Sequence, residues 1–196
     1  MSLRRSLAIL ALLGATPVAA QFQSDGYKFL QSVRDAKNNE VITALNKPGS
    51  QIVNTRDVTS GETALHIVVR RGDVPYTTFL LQKGADPNIR DGRNNTPMLI
   101  AIETGHSELV PLLIAGRANP NLPNASGVTP LILATQLRNA EAVRLLMAAN
   151  ANPDQKDYNG LSARDYAGRD TRAAAIAKLF ADAPRRANPA VAGPRL

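Results

Sequence analysis

His66 and His106 are the only imidazoles in a chain of 196 residues that has no cysteine. Without cysteine there is no disulfide scaffold, thiol nucleophile, cysteine-based zinc site or iron–sulfur ligation. His66 lies close to Thr63, but no nucleophile or carboxylate stands at a triad-like spacing from it, so it reads as structural rather than catalytic. His106 is expected to be exposed at the start of a second helix. It lies forty residues from His66, in another unit and on another face, so the pair does not make a zinc site. Asp91-Gly92-Arg93-Asn94-Asn95 has the polarity of a calcium loop but lacks alternating acidic ligands and a closing Glu, and reads as a hairpin tip. No phosphate-binding glycine loop, HExxH, GxSxG or SxxK pattern occurs. Catalytic, cofactor and metal residues are therefore all assigned as none. A hydrolase remains a minor alternative that would need a convergent polar pocket.

The elements that would position such side chains come from an internal repeat. Thr63, Thr96, Thr129 and Ser162 follow one another at steps of 33 residues without a gap. The same step relates Leu80, Leu113, Leu146 and Leu179, then Leu81, Ile114, Met147 and Phe180, and also Val68, Ala101, Ala134 and Ala167. Ala85, Ala118 and Ala151 are each followed by Pro87, Pro120 or Pro153, then by Asn88, Asn121 or Asp154. Each unit opens with a hydroxyl suited to cap a helix, and Pro97 and Pro130 occupy first helical positions, where a missing N–H is harmless. A short apolar stretch, a break at Gly72, Gly105 or Arg138, and a second apolar stretch complete a helix–turn–helix. Gly84 and Asn150 suit the left-handed residue after the second helix, whereas Arg117 stands where a glycine is expected. Neither helix can bury its apolar face alone, so neighbouring units must stack. The eight aromatics and absence of Trp predict a core of small aliphatic side chains.

TALH at 63–66, TPML at 96–99, TPLI at 129–132, GH at 105–106 and GADPN at 84–88 resemble the ankyrin repeat. The resemblance implies an all-α fold: an ankyrin-repeat solenoid of about five helix-turn-helix units with hairpin loops, spanning 21–182. The units fall at about 25–56, 57–90, 91–123, 124–156 and 157–181, the first and last acting as caps. The first is degenerate, with helices near Tyr27–Ala36 and Asn39–Leu45. The step from Asn54 to Asn88 is 34 rather than 33, and a Pro48-Gly49 turn is expected to absorb the extra residue. Pro111 falls within a second helix expected to begin near Ser107, where it costs at most one early bond.

The resemblance also implies a role for His66, bonding a neighbouring loop backbone and holding adjacent hairpins together. It implies a non-enzymatic module that binds a protein partner through a concave face of hairpin tips and first helices, with no cofactor. Carried over by the repeat register, the protein-binding residues are Arg70, Arg71, Arg93, Asn95, Glu103, Thr104, Gln136, Leu137, Tyr158 and Asn159. Arg70, Arg71, Arg93, Leu137 and Tyr158 are favoured as energetic centres.

The two ends differ from this body. Arg4 and Arg5, the apolar Leu7–Ala15 and the small residues Val18-Ala19-Ala20 form a signal peptide at 1–20, with cleavage expected after Ala20. Nine apolar residues fall short of the roughly 20 that cross a bilayer, so no stable membrane insertion is expected after cleavage. The style of the signal and the Ala/Arg-rich composition suggest a bacterial, periplasmic or secreted monomer; a secreted effector acting on proteins of another cell is the alternative. In such a source the sequons at Asn94 and Asn124 read as turn residues. Residues 183–196, rich in Pro and Arg, read as a disordered tail.

The formal charge of +7 bears on nucleic acid. Removing Arg4 and Arg5 leaves 21 bases against 16 acids, and setting aside Arg185, Arg186 and Arg195 leaves 18 against 16, a body of only +2. Such a balanced body with few aromatics does not make a nucleic-acid groove.

Overall fold

The computed structural model of the protein describes residues 24–184. The signal segment at 1–20 and the tail from residue 185 onward lie outside these residues. Within them, ten helices pair into five units: α1 (Asp25–Arg34) with α2 (Asn38–Leu45), α3 (Ala64–Arg70) with α4 (Val74–Gln82), and α5 (Pro97–Glu103) with α6 (Leu109–Ala115). Then come α7 (Pro130–Gln136) with α8 (Ala140–Ala148), and α9 (Ala163–Arg169) with α10 (Ala174–Ala181). The first helices α1, α3, α5, α7 and α9 pack on one another in sequence, and α4, α6, α8 and α10 form a second layer behind them. This is the all-helical repeat solenoid that the periodicity requires.

The hydroxyl column caps the first helices. Thr96, Thr129 and Ser162 accept from the N–H of Leu99, Ile132 and Asp165 at 3.4, 3.2 and 3.2 Å, and Thr63 forms a reciprocal box with His66. These contacts satisfy amides that a helix start leaves without an internal partner. Pro97 and Pro130 occupy first helical positions, as expected. α6 starts at Leu109, two residues later than expected, so Pro111 lies in its first turn and removes no intrahelical hydrogen bond. Arg117 takes φ 69°, matching Gly84 at 86° and Asn150 at 62°. The repeat thus imposes the left-handed conformation even on an arginine, a side chain that disfavours it.

Leu80, Leu113 and Leu146 are wholly buried between the layers, as are Val68, Ala101 and Ala134. In the terminal unit a 3-10 turn at Thr171–Ala173 precedes α10, and Phe180 is buried there while Leu179 is only partly so. A capping helix has a neighbour on one side only, so one bulky ring can close the core.

The polar column after the prolines is a ladder between units. Asn54 accepts from Asp86 N–H at 2.8 Å and donates to Gly84 O at 3.2 Å. Asn88 accepts from Asn119 N–H at 2.7 Å and donates to Arg117 O at 3.0 Å, and Asn121 accepts from Asn152 N–H at 2.7 Å. Each amide therefore satisfies the irregular backbone of the next unit, which no helix serves.

The extra residue is not absorbed at Pro48-Gly49, which precedes Asn54 and cannot lengthen the step to Asn88. It lies in the 57–62 hairpin. There Gly61 N–H reaches back four residues to Asp57 O at 2.9 Å, whereas Asn94, Gly127 and Gly160 reach back three, to Asp91, Asn124 and Asp157. Val58 stands at the wider apex and is fully exposed.

Candidate functional site

The hairpin tips and the first helices of the second and third units enclose a groove of about 470 Å³, lined by Thr59, Ser60, Glu62, Arg70, Asp91, Gly92, Arg93, Asn95 and Glu103. Four side chains singled out from the register, Arg70, Arg93, Asn95 and Glu103, meet here. Arg70 and Glu103 close the helices α3 and α5, while Arg93 and Asn95 belong to the tip between units.

Local chemistry holds the rim in shape. Asp91 is buried, and its Oδ1 accepts from the N–H groups of Arg93 and Asn95, each at 2.8 Å. Asp57 does the same for the preceding tip, taking N–H bonds from Thr59 and Ser60 at 2.9 Å and Arg34 at 2.8 Å. The backbone bond from Ser60, together with Arg34, lowers the Asp57 carboxyl to about 2. The two tips are then joined: Gly92 N–H donates to Ser60 O at 2.7 Å, and Arg56 donates to Arg90 O at 2.8 Å. A Cβ at Gly61, whose φ is +70°, would lie 2.7 Å from Gly92 N, so this approach requires glycine.

His66 ties the same two units, in the role implied by the resemblance. Thr63 N–H donates to Nδ1 at 3.1 Å, which makes Nδ1 the acceptor and leaves Nε2–H to donate to Asn95 O at 3.2 Å. The ring has no exposed surface, and burial holds its pKa below 6.5. His106 is half-buried rather than exposed: its ring lies over Gly72 and its Nδ1 is 3.2 Å from Glu108.

The other singled-out residues are dispersed. Arg71 cross-links the first two units, donating to Val33 O at 2.9 Å and Asp73 at 3.2 Å and lying 5.9 Å from the Tyr76 ring centroid. Thr104 donates its hydroxyl to Ile100 O at 2.8 Å. Gln136 and Leu137 end α7, and Tyr158 and Asn159 form the tip of the last unit, where Tyr158 covers Gly127 yet stays 62% exposed. Val58 was outside the register positions because the inserted residue has no counterpart in the other units. The 34-residue step was the available signal for it.

The family model described as ankyrin repeats (3 copies) matches residues 29–124, 78–157 and 105–187. The chain belongs to the ankyrin-repeat family. Its ankyrin repeats are similar to part of the phosphate system positive regulatory protein PHO81 of Saccharomyces cerevisiae, at 35% identity over 97 residues, covering 47% of this chain and 8% of that protein. They are also similar to part of the human BRCA1-associated RING domain protein 1, at 55% identity over 31 residues, covering 16% of this chain and 4% of that protein. The chain thus spans less than a tenth of either relative. Ankyrin repeats point to a protein–protein interaction module, are generally non-enzymatic, and indicate no catalytic family here. Among the described residues no helix is long and apolar enough to cross a membrane.

Proposed function

We propose that this ankyrin-repeat protein is an exported, monomeric binding module that engages a protein partner through its hairpin tips and first helices. The observation that carries the reading is the groove between the second and third units, which gathers Arg70, Arg93, Asn95 and Glu103 on a rim tied by backbone and imidazole bonds. A surface held in this way loses little conformational entropy on binding. Arg93, Leu137 and Tyr158 are exposed, and arginine and tyrosine are types that favour interface centres. The signal-like residues 1–20 support export to the periplasm or beyond, with Gln21 as the new N-terminus.

Chemical cross-linking in a periplasmic fraction, followed by capture of the chain, tests both parts. Wild type should retain a specific set of proteins that the Arg70→Ala, Arg93→Ala, Tyr158→Ala variant loses. If the variant keeps every partner, the assigned face is wrong. N-terminal sequencing of the same sample should begin at Gln21; a chain still carrying Met1 and confined to the cytoplasm would refute export.

A further inference from the structure

The chemistry of the groove between the second and third units narrows the kind of partner it fits, an inference that rests on the binding role proposed above. Glu62 is already engaged: one oxygen takes Arg70 at 2.7 Å and the other the Ser60 hydroxyl at 3.3 Å. Asp91 is committed to the backbone of its own tip. Two charged side chains lining the groove, Arg93 and Glu103, are exposed and have no side-chain partner among the described residues. Arg93 is anchored at its backbone by Asp91, so its guanidinium stands on a fixed base at the rim. Glu103 is the last residue of α5 and stands at the helical end of the groove.

These features exclude two ligand classes. Three carboxylates, Glu62, Asp91 and Glu103, face two guanidiniums, Arg70 and Arg93, so a polyanion finds no net attraction. The lining residues are almost all polar, so an apolar helix would leave them desolvated without partners. What fits is a segment carrying one charge of each sign.

We propose that the groove receives an extended peptide segment of a protein partner, which sets an acidic side chain on Arg93 and a basic side chain on Glu103. The guanidinium offers a two-pronged donor to a carboxylate, and Glu103 accepts from an ammonium or guanidinium. The remaining N–H groups of Arg70 and the side-chain amide of Asn95 line the same groove and can meet the segment's backbone. The rim is preformed for this. The Ser60–Gly92 and His66–Asn95 bonds join the tips of the second and third units, while no backbone bond joins the tips of the third and fourth among the described residues.

Selecting short random peptides displayed on phage against the purified full chain, in parallel with Arg93→Glu and Glu103→Lys, tests the assignment. Wild type should enrich peptides holding one acidic and one basic residue at a fixed separation. Arg93→Glu should exchange the acid for a base, and Glu103→Lys should exchange the base for an acid. A synthetic wild-type-selected peptide should bind each variant at least about fivefold more weakly by calorimetry, and regain affinity when its matching charge is reversed. Both substitutions are at exposed positions, and unchanged unfolding midpoints would show that the variants fold. Wild-type selection without paired charges, or with the same preference in both variants, would overturn the proposal, as would failure to select any peptide. If cross-linked partners were lost by Tyr158→Ala but kept by Arg93→Glu, the binding module would stand and the groove assignment would fall.

Discussion

Replacing Thr77 by valine should stabilise the protein, because Thr77 buries a hydroxyl that bonds to nothing. Its side chain sits on α4 with no exposed surface, and Oγ1 has no hydrogen-bond partner among the described residues. Other helical threonines behave differently: Thr43, Thr78, Thr104 and Thr135 donate to the carbonyl four residues earlier at 2.7 to 3.0 Å. The repeat shows what the position wants, since Val110, Val143 and Ile176 occupy the same column and are buried at 0, 0 and 2% exposure. Valine removes an unpaired buried hydroxyl, worth about 1–3 kcal/mol, and fills its place with a methyl group. Both residues are β-branched, so the helix itself is nearly indifferent to the exchange. The net expectation is a gain of about 1–3 kcal/mol, or a rise in Tm of between about 2 and 12 °C for a domain of this size. Urea unfolding at constant m-value and a thermal scan would read it. The reciprocal Val110→Thr should lose a comparable amount. A Thr77→Val protein no more stable than wild type would refute the reasoning, because it would mean that the hydroxyl is satisfied in solution.

Asn88→Ala should cost about 1–2 kcal/mol by removing two bonds to the third unit, and hydrogen exchange should show the loss concentrated between the second and third units. Thr96→Ala should lower stability by about 0.5–2 kcal/mol through its lost cap; an unchanged urea midpoint would contradict the repeat register. Burial holds His66 below its ordinary pKa of 6.5, so the folded state needs the neutral ring. The stability this contributes is complete above the unfolded value and is lost as pH falls below it. Urea midpoints should therefore decline from about pH 7 to about pH 5, and His66→Leu should flatten that decline while lowering stability overall. A wild-type profile as flat as the variant's would show that the ring is not held neutral.

Much of this architecture was legible in one dimension, because stacked identical units repeat their demands in the sequence. The Thr63, Thr96, Thr129 and Ser162 column marked helix starts correctly, and the Leu80 column marked the core. His66 was assigned its hairpin-tying role from the resemblance, and the structure supplied the acceptor, Asn95 O. Misplacing the inserted residue at Pro48-Gly49 had a different origin. A step of 34 says that a residue has been added but not which turn widens, and only the long Gly61-to-Asp57 bond places it beside Val58.

Site residues were harder for the same reason that the fold was easy. Register puts Arg70 and Arg71 side by side, yet one reaches Glu62 in the groove and the other reaches back to Val33 in the first unit while lying over Tyr76 of its own unit. Adjacent residues on a helix point about 100° apart, so their partners are chosen by whatever the neighbouring units place there.

The sequence by itself determined the period, the caps, the aliphatic core and the near-neutral body, since each depends on residue type and spacing alone. Tertiary structure decided which charges remain available. Glu62 and Arg70 neutralise each other, Asp91 is consumed by its own tip, and Arg93 and Glu103 are left facing the groove. Glu62 and Arg70 are eight residues apart and Asp91 binds amides two and four residues on, so these pairings depend on distances of a few ångströms that the folded tips and helices set and the order of residues does not display.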